Sequence, residues 1–278
     1  MEKSKSIGRQ FGDAKNPSLC AVWLTEAALK LHTNLHFVVH DCTTELKAYF
    51  LYSIPRHISK RNPQVRLPMV EDSQGAVVCD PHAIMSYLVN QYGRESTLYP
   101  SEPLKRALVD QRLFYSSGVL YPLRRQLVRM LPEQNFAELL MQKIDDVYES
   151  YAVLDQFVAN NSYMAGDHLT IADFAISSTI IVLDARIAPF HIAEYPNLSA
   201  WLARMSTLPY FLKLAEDAKA VYLQNLNYNI CYWSPLINKK KCLTYECGRE
   251  GRPFYATHIP ILRQLKIPQP DPSLRYKY

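Results

Sequence analysis

Residues 67–92 read LPMVEDSQGAVVCDPHAIMSYLVNQY, and this stretch decides the fold of the first part of the chain. Two short apolar runs, Leu67–Val70 and Val77–Cys79, flank a segment of turn-forming residues and therefore predict a hairpin. Asp80 is a natural N-cap, and Pro81 suits the first position of a helix, where its missing N–H costs nothing. A helix is therefore expected to follow the hairpin directly.

The sequence before this stretch adds a second unit of alternating strands and helices. Residues 7–40 predict a strand, a helix with an apolar face, and a second strand. The second strand is marked by Phe37–Val39, a short apolar run that is typical of a buried strand. Together with the hairpin and its helix, the predicted order is β-α-β followed by β-β-α, which indicates an α/β domain.

After Gly93 the pattern becomes that of an all-helical domain. Apolar residues recur at three- and four-residue spacing, and residues 170–187 are apolar on all sides, as in the middle of a helical bundle. Thr170 and Asp173 have the spacing of a capping box, so we interpret Asp173 as a helix cap rather than as a catalytic acid. The predicted helices cover residues 104–130, 136–158, 170–187, 197–207 and 210–218.

Length and composition are those of a globular protein. The chain has 278 residues, of which 48% are hydrophobic and 21% are charged. No apolar run approaches the roughly 18–20 residues needed to span a bilayer, and the charged amino terminus leads into no secretory signal. We therefore expect a cytoplasmic protein without membrane contact, in which the six cysteines are reduced.

The positive charge is concentrated at the carboxyl-terminal end. Residues 220–278 hold nine Lys and Arg against three Asp and Glu, whereas the rest of the chain holds 22 against 23. This end is rich in tyrosine and proline and includes the basic run Lys239–Lys241. Such a mixture could bind RNA or an acidic protein partner, or could be a solvated basic tail. Its cysteines match no standard zinc spacing, so no metal site is predicted.

The motifs together, at their mutual spacing, resemble the cytosolic glutathione S-transferases, most closely the delta and epsilon classes of arthropods. The resemblance runs from about Ile7 to about Ala218. It implies a thioredoxin-like domain over residues 1–93, an all-helical domain over residues 94–218, an extension over residues 219–278, and a homodimer. The segments that carry it are Asn62–Gln64, Leu67–Pro68, Asp80–Ile84, Tyr92–Gly93, Leu98–Pro100, Gln111–Leu113, Met164–Asp167 and Leu169–Asp173.

The resemblance also implies a glutathione site in the first domain. It implies that Pro68 follows a cis peptide bond, which only proline adopts at low cost, so that the backbone of Leu67 can bind a peptide-like ligand. The residues that the resemblance assigns to glutathione binding are Arg66, Leu67, Pro68, Asp80 and His82.

The sequence departs from the family pattern at three positions of this site. Asn16 stands at the catalytic serine of these classes, and its amide can still donate to a thiolate; Ser18 is the hydroxyl that a shifted register would supply. Val65 stands at the family's histidine, next to Arg66. Pro81 replaces a serine and has neither a hydroxyl nor a backbone N–H for the γ-glutamyl carboxylate.

Two functions are consistent with this pattern. The first is a transferase-like protein with weak or lost glutathione conjugation, which binds a ligand or a protein partner. The alternative is an active transferase that conjugates glutathione to apolar electrophiles, with Asn16 in place of the usual serine. In the family the apolar substrate lies against the long helices, and we predict Tyr115 and Val119 as the residues that contact it.

Overall fold

The computed structural model shows a small sheet followed by a set of helices, in the order that the sequence predicts. All of the described residues lie in one compact unit of the chain, Met1–Ser234. The structure describes residues 8–12, 17–31, 35–39, 60–62, 67–93, 97–130, 137–189 and 191–213.

The described part of the first domain contains a four-stranded mixed sheet. Its strands are β1 (Gly8–Gly12), β2 (Leu35–Val39), β3 (Met69–Asp72) and β4 (Val77–Cys79), in the order β2-β1-β3-β4. β1 and β2 are parallel and are connected through helix α1 (Pro17–Ala28), whereas the other two pairs are antiparallel. The predicted thioredoxin-like arrangement is thus confirmed.

Helix α2 (Pro81–Tyr92) begins directly after β4, as the sequence predicts. The Asp80 carboxylate accepts hydrogen bonds from the backbone N–H groups of His82 and Ala83, at 2.9 and 3.3 Å. Pro81 takes the first helical position, where no intrahelical partner for an N–H exists. The N-cap and the proline together fix where this helix starts, at the edge of the sheet.

The helical domain comprises α3 (Pro103–Tyr115), α4 (Tyr121–Met130), α5 (Ala137–Phe157), α6 (Ile171–Val182) and α7 (Pro196–Met205). Two π-helical turns interrupt the predicted segments. Ser116–Leu120 joins α3 to α4, and Leu183–Ile187 continues α6. Of the helix predicted over residues 210–218, residues 211–213 are helical and residue 210 is in a turn, whereas residues 214–218 lie outside the described residues.

Helix α6 is the centre of this domain, because all of its residues from Ile171 to Ile180 are buried. Asp173 closes a capping box with Thr170, whose backbone N–H donates to the carboxylate at 2.8 Å. The other carboxylate oxygen accepts from the Met164 N–H and from the indole N–H of Trp201, both at 2.8 Å. The interpretation of Asp173 as a cap is therefore confirmed, and the same carboxylate also holds α7 through Trp201.

Helix α1 packs against α2 and α6 and carries a buried carboxyl group. Glu26 is 3% exposed, next to Gln10 of β1. Burial raises the pKa of Glu26 to about 8, although a hydrogen bond with Gln10 opposes the shift. Glu26 is therefore mostly protonated at neutral pH in the folded chain. The Gln10 side chain is held in turn by the indole N–H of Trp23, at 3.3 Å.

Candidate functional site

A small cleft lies where the first domain meets the helical domain. Its cavity volume is about 10 Å³, which is room for about one water molecule, and it lies between α1, α2, the π-helical turn Ser116–Leu120 and α6. Ala21, Pro81, Met85 and Ala175 form its apolar lining. Its polar lining consists of Ser18, His82, Ser116, Tyr121, Ser178 and Thr179.

The structure brings two of the predicted site residues, Ser18 and His82, to this cleft, whereas Leu67, Pro68 and Asp80 do not line it. Ser18, in the first turn of α1, lies across from Pro81 and His82, in the first turn of α2. The peptide bond between Leu67 and Pro68 is cis, as the resemblance implied. The predictions for Asn16, Val65 and Arg66 fall outside the described residues.

Asp80 is held in an unusual backbone conformation, and its carboxylate is in use locally. Its φ of 80° lies in the left-handed region, which a residue with a Cβ rarely adopts. Besides capping α2, its Oδ1 lies 3.4 Å from Nδ1 of His82. Burial tends to raise the pKa of Asp80, but the hydrogen bonds from His82 and Ala83 and the neighbouring imidazole outweigh it and lower that pKa. Asp80 is therefore an anion at neutral pH.

Pro81 changes what the start of α2 can offer a ligand. At the first position of this helix, a serine would present a hydroxyl and a backbone N–H. The pyrrolidine ring instead presents apolar surface to the cleft. The arrangement therefore fits the γ-glutamyl carboxylate of glutathione poorly, although the Asp80 carboxylate can still accept a hydrogen bond from an ammonium group.

His82 forms a contact that sequence reasoning missed. Its Nε2 lies 3.2 Å from Oγ of Ser116, a residue that is 34 positions later and 2% exposed. This pair joins the first turn of α2 to the π-helical turn between α3 and α4. The two residues share no motif, and the sequence carries no signal that would have paired them.

Tyr115 and Val119, the predicted contacts of an apolar substrate, do not line this cleft. The Tyr115 hydroxyl donates to the backbone carbonyl of Ser150 at 3.5 Å, and its ring packs edge-to-face against Phe157, with the ring centres 5.5 Å apart. Tyr115 thus faces α5. The role of both residues in binding an apolar substrate stays a prediction.

Among the described residues, no helix is long and apolar enough to cross a membrane. The same residues contain no group of three or more His, Cys, Asp and Glu side chains placed to hold a metal ion.

Comparison with known proteins identifies the family. The family model described as "Glutathione S-transferase, C-terminal domain" matches residues 119–209. "Glutathione S-transferase 1" of Manduca sexta is 35% identical over 160 residues, which make up 58% of this chain and 73% of that protein.

Solved structures of insect proteins have the same fold. An epsilon-class glutathione S-transferase from the housefly, Musca domestica, is 35% identical, with a TM-score of 0.64, over 78% of this chain and 96% of its own. A glutathione transferase homolog from Drosophila mojavensis, solved with bound glutathione, is 35% identical, with a TM-score of 0.68, over 78% of this chain and 95% of its own.

The sheet of mixed topology, the cis bond before Pro68 and the bundle around α6 define a thioredoxin-like domain joined to a helical domain. With these relatives, the chain belongs to the glutathione S-transferase family, close to the insect delta and epsilon classes.

Proposed function

We propose that this chain is a glutathione-transferase-like protein with weak or lost conjugating activity, which acts by binding a ligand or a partner. The observation that carries the proposal is the start of α2, where Asp80 caps its own helix and Pro81 occupies the first helical position. A γ-glutamyl group placed there would lose a hydroxyl and a backbone N–H as donors.

The size of this loss sets the expected affinity. A hydrogen bond to a charged group contributes about 1.5–3 kcal/mol, and about 1.4 kcal/mol corresponds to a tenfold change in Kd. The loss of two such donors to one carboxylate therefore lowers the affinity for glutathione by at least about tenfold. Val65 stands at the position of the family's histidine, and it is expected to weaken the binding of the glycyl end of glutathione in the same way.

Retention on immobilised glutathione, with elution by free glutathione, tests the proposal. The unchanged chain is expected to pass through and to conjugate an aryl halide at near-background rate. The combined variant Asn16→Ser, Val65→His and Pro81→Ser is expected to gain retention, and each single variant much less, because the contacts share one ligand.

A matched control comes from the chain itself. Pro103 also stands at the first position of a helix, behind a carboxylate N-cap, Glu102. Pro103→Ser therefore makes the same substitution in the same local structure away from the cleft, and it is expected to leave retention unchanged. Strong retention and rapid conjugation by the unchanged chain would overturn the proposal.

The second candidate is an active transferase that uses glutathione as its co-substrate and Asn16 as the thiolate donor. The relatives favour it, since the curated one is named a glutathione S-transferase and one structure holds bound glutathione. On this alternative an apolar electrophile binds against the long helices, near Tyr115 and Val119. Asn16→Ala is then expected to abolish a conjugating activity that the unchanged chain displays.

We also propose that the chain forms a homodimer. Helix α3 exposes Leu104, Leu108 and Phe114, whose exposed fractions are 68%, 37% and 73%. Their spacing places them on one side of the helix, together with the exposed Ala107 and Gln111. Three large apolar side chains exposed on one side of a helix are typical of an interface, and a second copy of the chain is the partner that the family resemblance implies.

The basic segment 219–278 supports a proposal about other partners. We propose that it contacts an acidic protein or RNA in the cytoplasm, since it carries the excess of positive charge together with seven tyrosines. Such binding is expected to weaken steeply with salt.

A further inference from the structure

The carboxyl end of α1 closes in a conformation that its sequence does not favour. The backbone N–H of Leu31 donates to the Glu26 carbonyl at 2.8 Å, and the N–H of Lys30 donates to the Ala27 carbonyl at 3.1 Å. This pair of bonds is the Schellman ending of a helix, which needs one residue in the left-handed conformation, usually a glycine. Here that residue is Lys30, with a φ of 59°. The last turn of α1, residues 26–31, is therefore closed against backbone strain.

The same turn buries a carboxyl group that is incompletely satisfied. Glu26 is 3% exposed, and the neighbouring Gln10 of β1 is 1% exposed. Oε1 of Glu26 and Nε2 of Gln10 are both buried without a hydrogen-bond partner. Among the described residues, no lysine or arginine forms an ion pair with Glu26. The packing therefore accommodates a neutral carboxyl group and opposes its anion, because a buried ion without a partner is strongly destabilising.

The other titratable groups of α1 and of the helices packed against it lie away from Glu26 or have other contacts. They are Cys20 of α1, His82, Tyr87 and Tyr92 of α2, and Asp173 of α6. Cys20 lies about 120° around α1 from Glu26. His82 contacts Ser116, Tyr87 donates to Asp72 and packs against Tyr92, and Asp173 caps its own helix. Within the described residues, burial and the Gln10 amide are thus the influences on the pKa of Glu26.

The loss of a proton from Glu26 favours an open form of this turn. Burial raises the pKa of Glu26 to about 8 in the closed form, whereas a carboxyl group in water ionises near its ordinary value of 4.5. Between these two values, each pH unit shifts the balance toward the open form by about tenfold. Opening also releases Lys30 from the left-handed conformation and moves the carboxylate from the interior into water.

We propose that the last turn of α1, residues 26–31, is a pH-sensitive switch that opens when Glu26 loses its proton to the solvent. The open form is a minor state whose population rises with pH. The rise ends above about pH 8, because the closed form then ionises as well. The switch makes the attachment of α1 to the sheet depend on pH. It goes beyond the proposed function, because it needs neither glutathione nor a partner.

Amide hydrogen exchange of the full-length chain at pH 6, 7 and 8 tests the proposal, with each rate corrected for the intrinsic exchange rate at that pH. The amides of Leu29, Lys30 and Leu31 report on the turn, and those of α6 report on opening of the core. We expect the protection of the turn to be lower than that of α6 and to fall by about tenfold per pH unit. In Glu26→Gln the protection of the turn should not change with pH. Glu149→Gln, at an exposed position, should behave as the unchanged chain does.

A second variant tests the strain in the turn. Lys30→Gly should raise the protection of the turn by about fivefold at every pH, because glycine adopts a positive φ without strain. Its pH dependence should stay, since Glu26 is still present. The proposal is wrong if the protection of the turn does not depend on pH, or if Glu26→Gln keeps the same dependence. It is also wrong if the turn is protected as strongly as α6 at every pH, since Glu26 would then be released only by global unfolding. Glutathione is absent throughout, so the outcome is independent of retention on immobilised glutathione.

Discussion

Replacement of Glu26 by glutamine is expected to change how the stability of the chain depends on pH. Glu26 is buried on α1 beside Gln10, and burial raises its pKa from 4.5 to about 8. In the unfolded chain the same carboxyl ionises at its ordinary value. Between these two values the folded state holds a proton that the unfolded state has lost, so stability falls as the pH rises. Glutamine has nearly the same shape and cannot ionise.

The magnitude follows from the separation of the two pKa values. Each pH unit between them changes the free energy of unfolding by about 1.4 kcal/mol. The stability that the buried, protonated Glu26 contributes to the folded state is fully present below pH 4.5. It declines as the pH rises from there, and it is lost above about pH 8. From about pH 5 to about pH 8 the glutamine variant should therefore gain about 4 kcal/mol relative to the unchanged chain.

Denaturant unfolding at a series of pH values, at one protein concentration, measures this difference. Glu149→Gln is the matched control, since it makes the same substitution at an exposed position of α5. The control curve should run parallel to that of the unchanged chain. If the Glu26→Gln curve is also parallel, Glu26 is ionised in the folded chain, and the account of its burial is wrong.

Three other predictions concern the core, the proposed dimer and the basic segment. Asp173→Ala should destabilise the fold by about 3–5 kcal/mol in thermal or denaturant unfolding, because it leaves buried N–H donors without an acceptor, whereas the exposed Asp167→Ala should change little. Leu108→Glu should shift the sedimenting species from dimer to monomer. Leu139→Glu is the control and should not, because Leu139 is about as exposed as Leu108 (38% against 37%) but lies on another helix. If the two variants sediment as the same species, the α3 interface is wrong. Removal of residues 220–278 takes the formal charge from +5 to −1 and should abolish salt-sensitive retention on heparin while a cooperative thermal transition remains. An insoluble or molten product would contradict this.

The local parts of the fold could be predicted because their signals lie close together in the sequence. Asp80 and Pro81 specify a helix start within two residues, and Thr170 with Asp173 specifies another within four. In each case the group that satisfies the free backbone N–H is a near neighbour in the chain. The two apolar runs within residues 67–79 and the turn residues between them likewise predicted the hairpin, although its first strand lies two residues later than expected.

The remaining features depend on contacts between distant segments. Glu26 is a charged residue in the sequence, and only the packing of α1 against α2 and α6 buries it. His82 and Ser116 meet because two domains come together, which no local pattern encodes. The π-helical turn Ser116–Leu120 has no composition that separates it from the α-helix on either side, so the pattern predicted one continuous helix there.

That π-helical turn also determines how the two halves of the long helix are phased. An α-helix advances by about 100° per residue, so the extra residue of a π turn rotates everything after it by that angle relative to an uninterrupted helix. Gly118 has open space where a Cβ would be, so no packing contact requires a glycine there. If the same residues were wound as regular α-helix, Tyr121 would lie about 140° around the helix from Ser116. In the π turn the Tyr121 N–H instead donates to the Ser116 carbonyl, one turn above it. The composition of the cleft is thus controlled by how the chain between these two residues is wound, and not only by their identities.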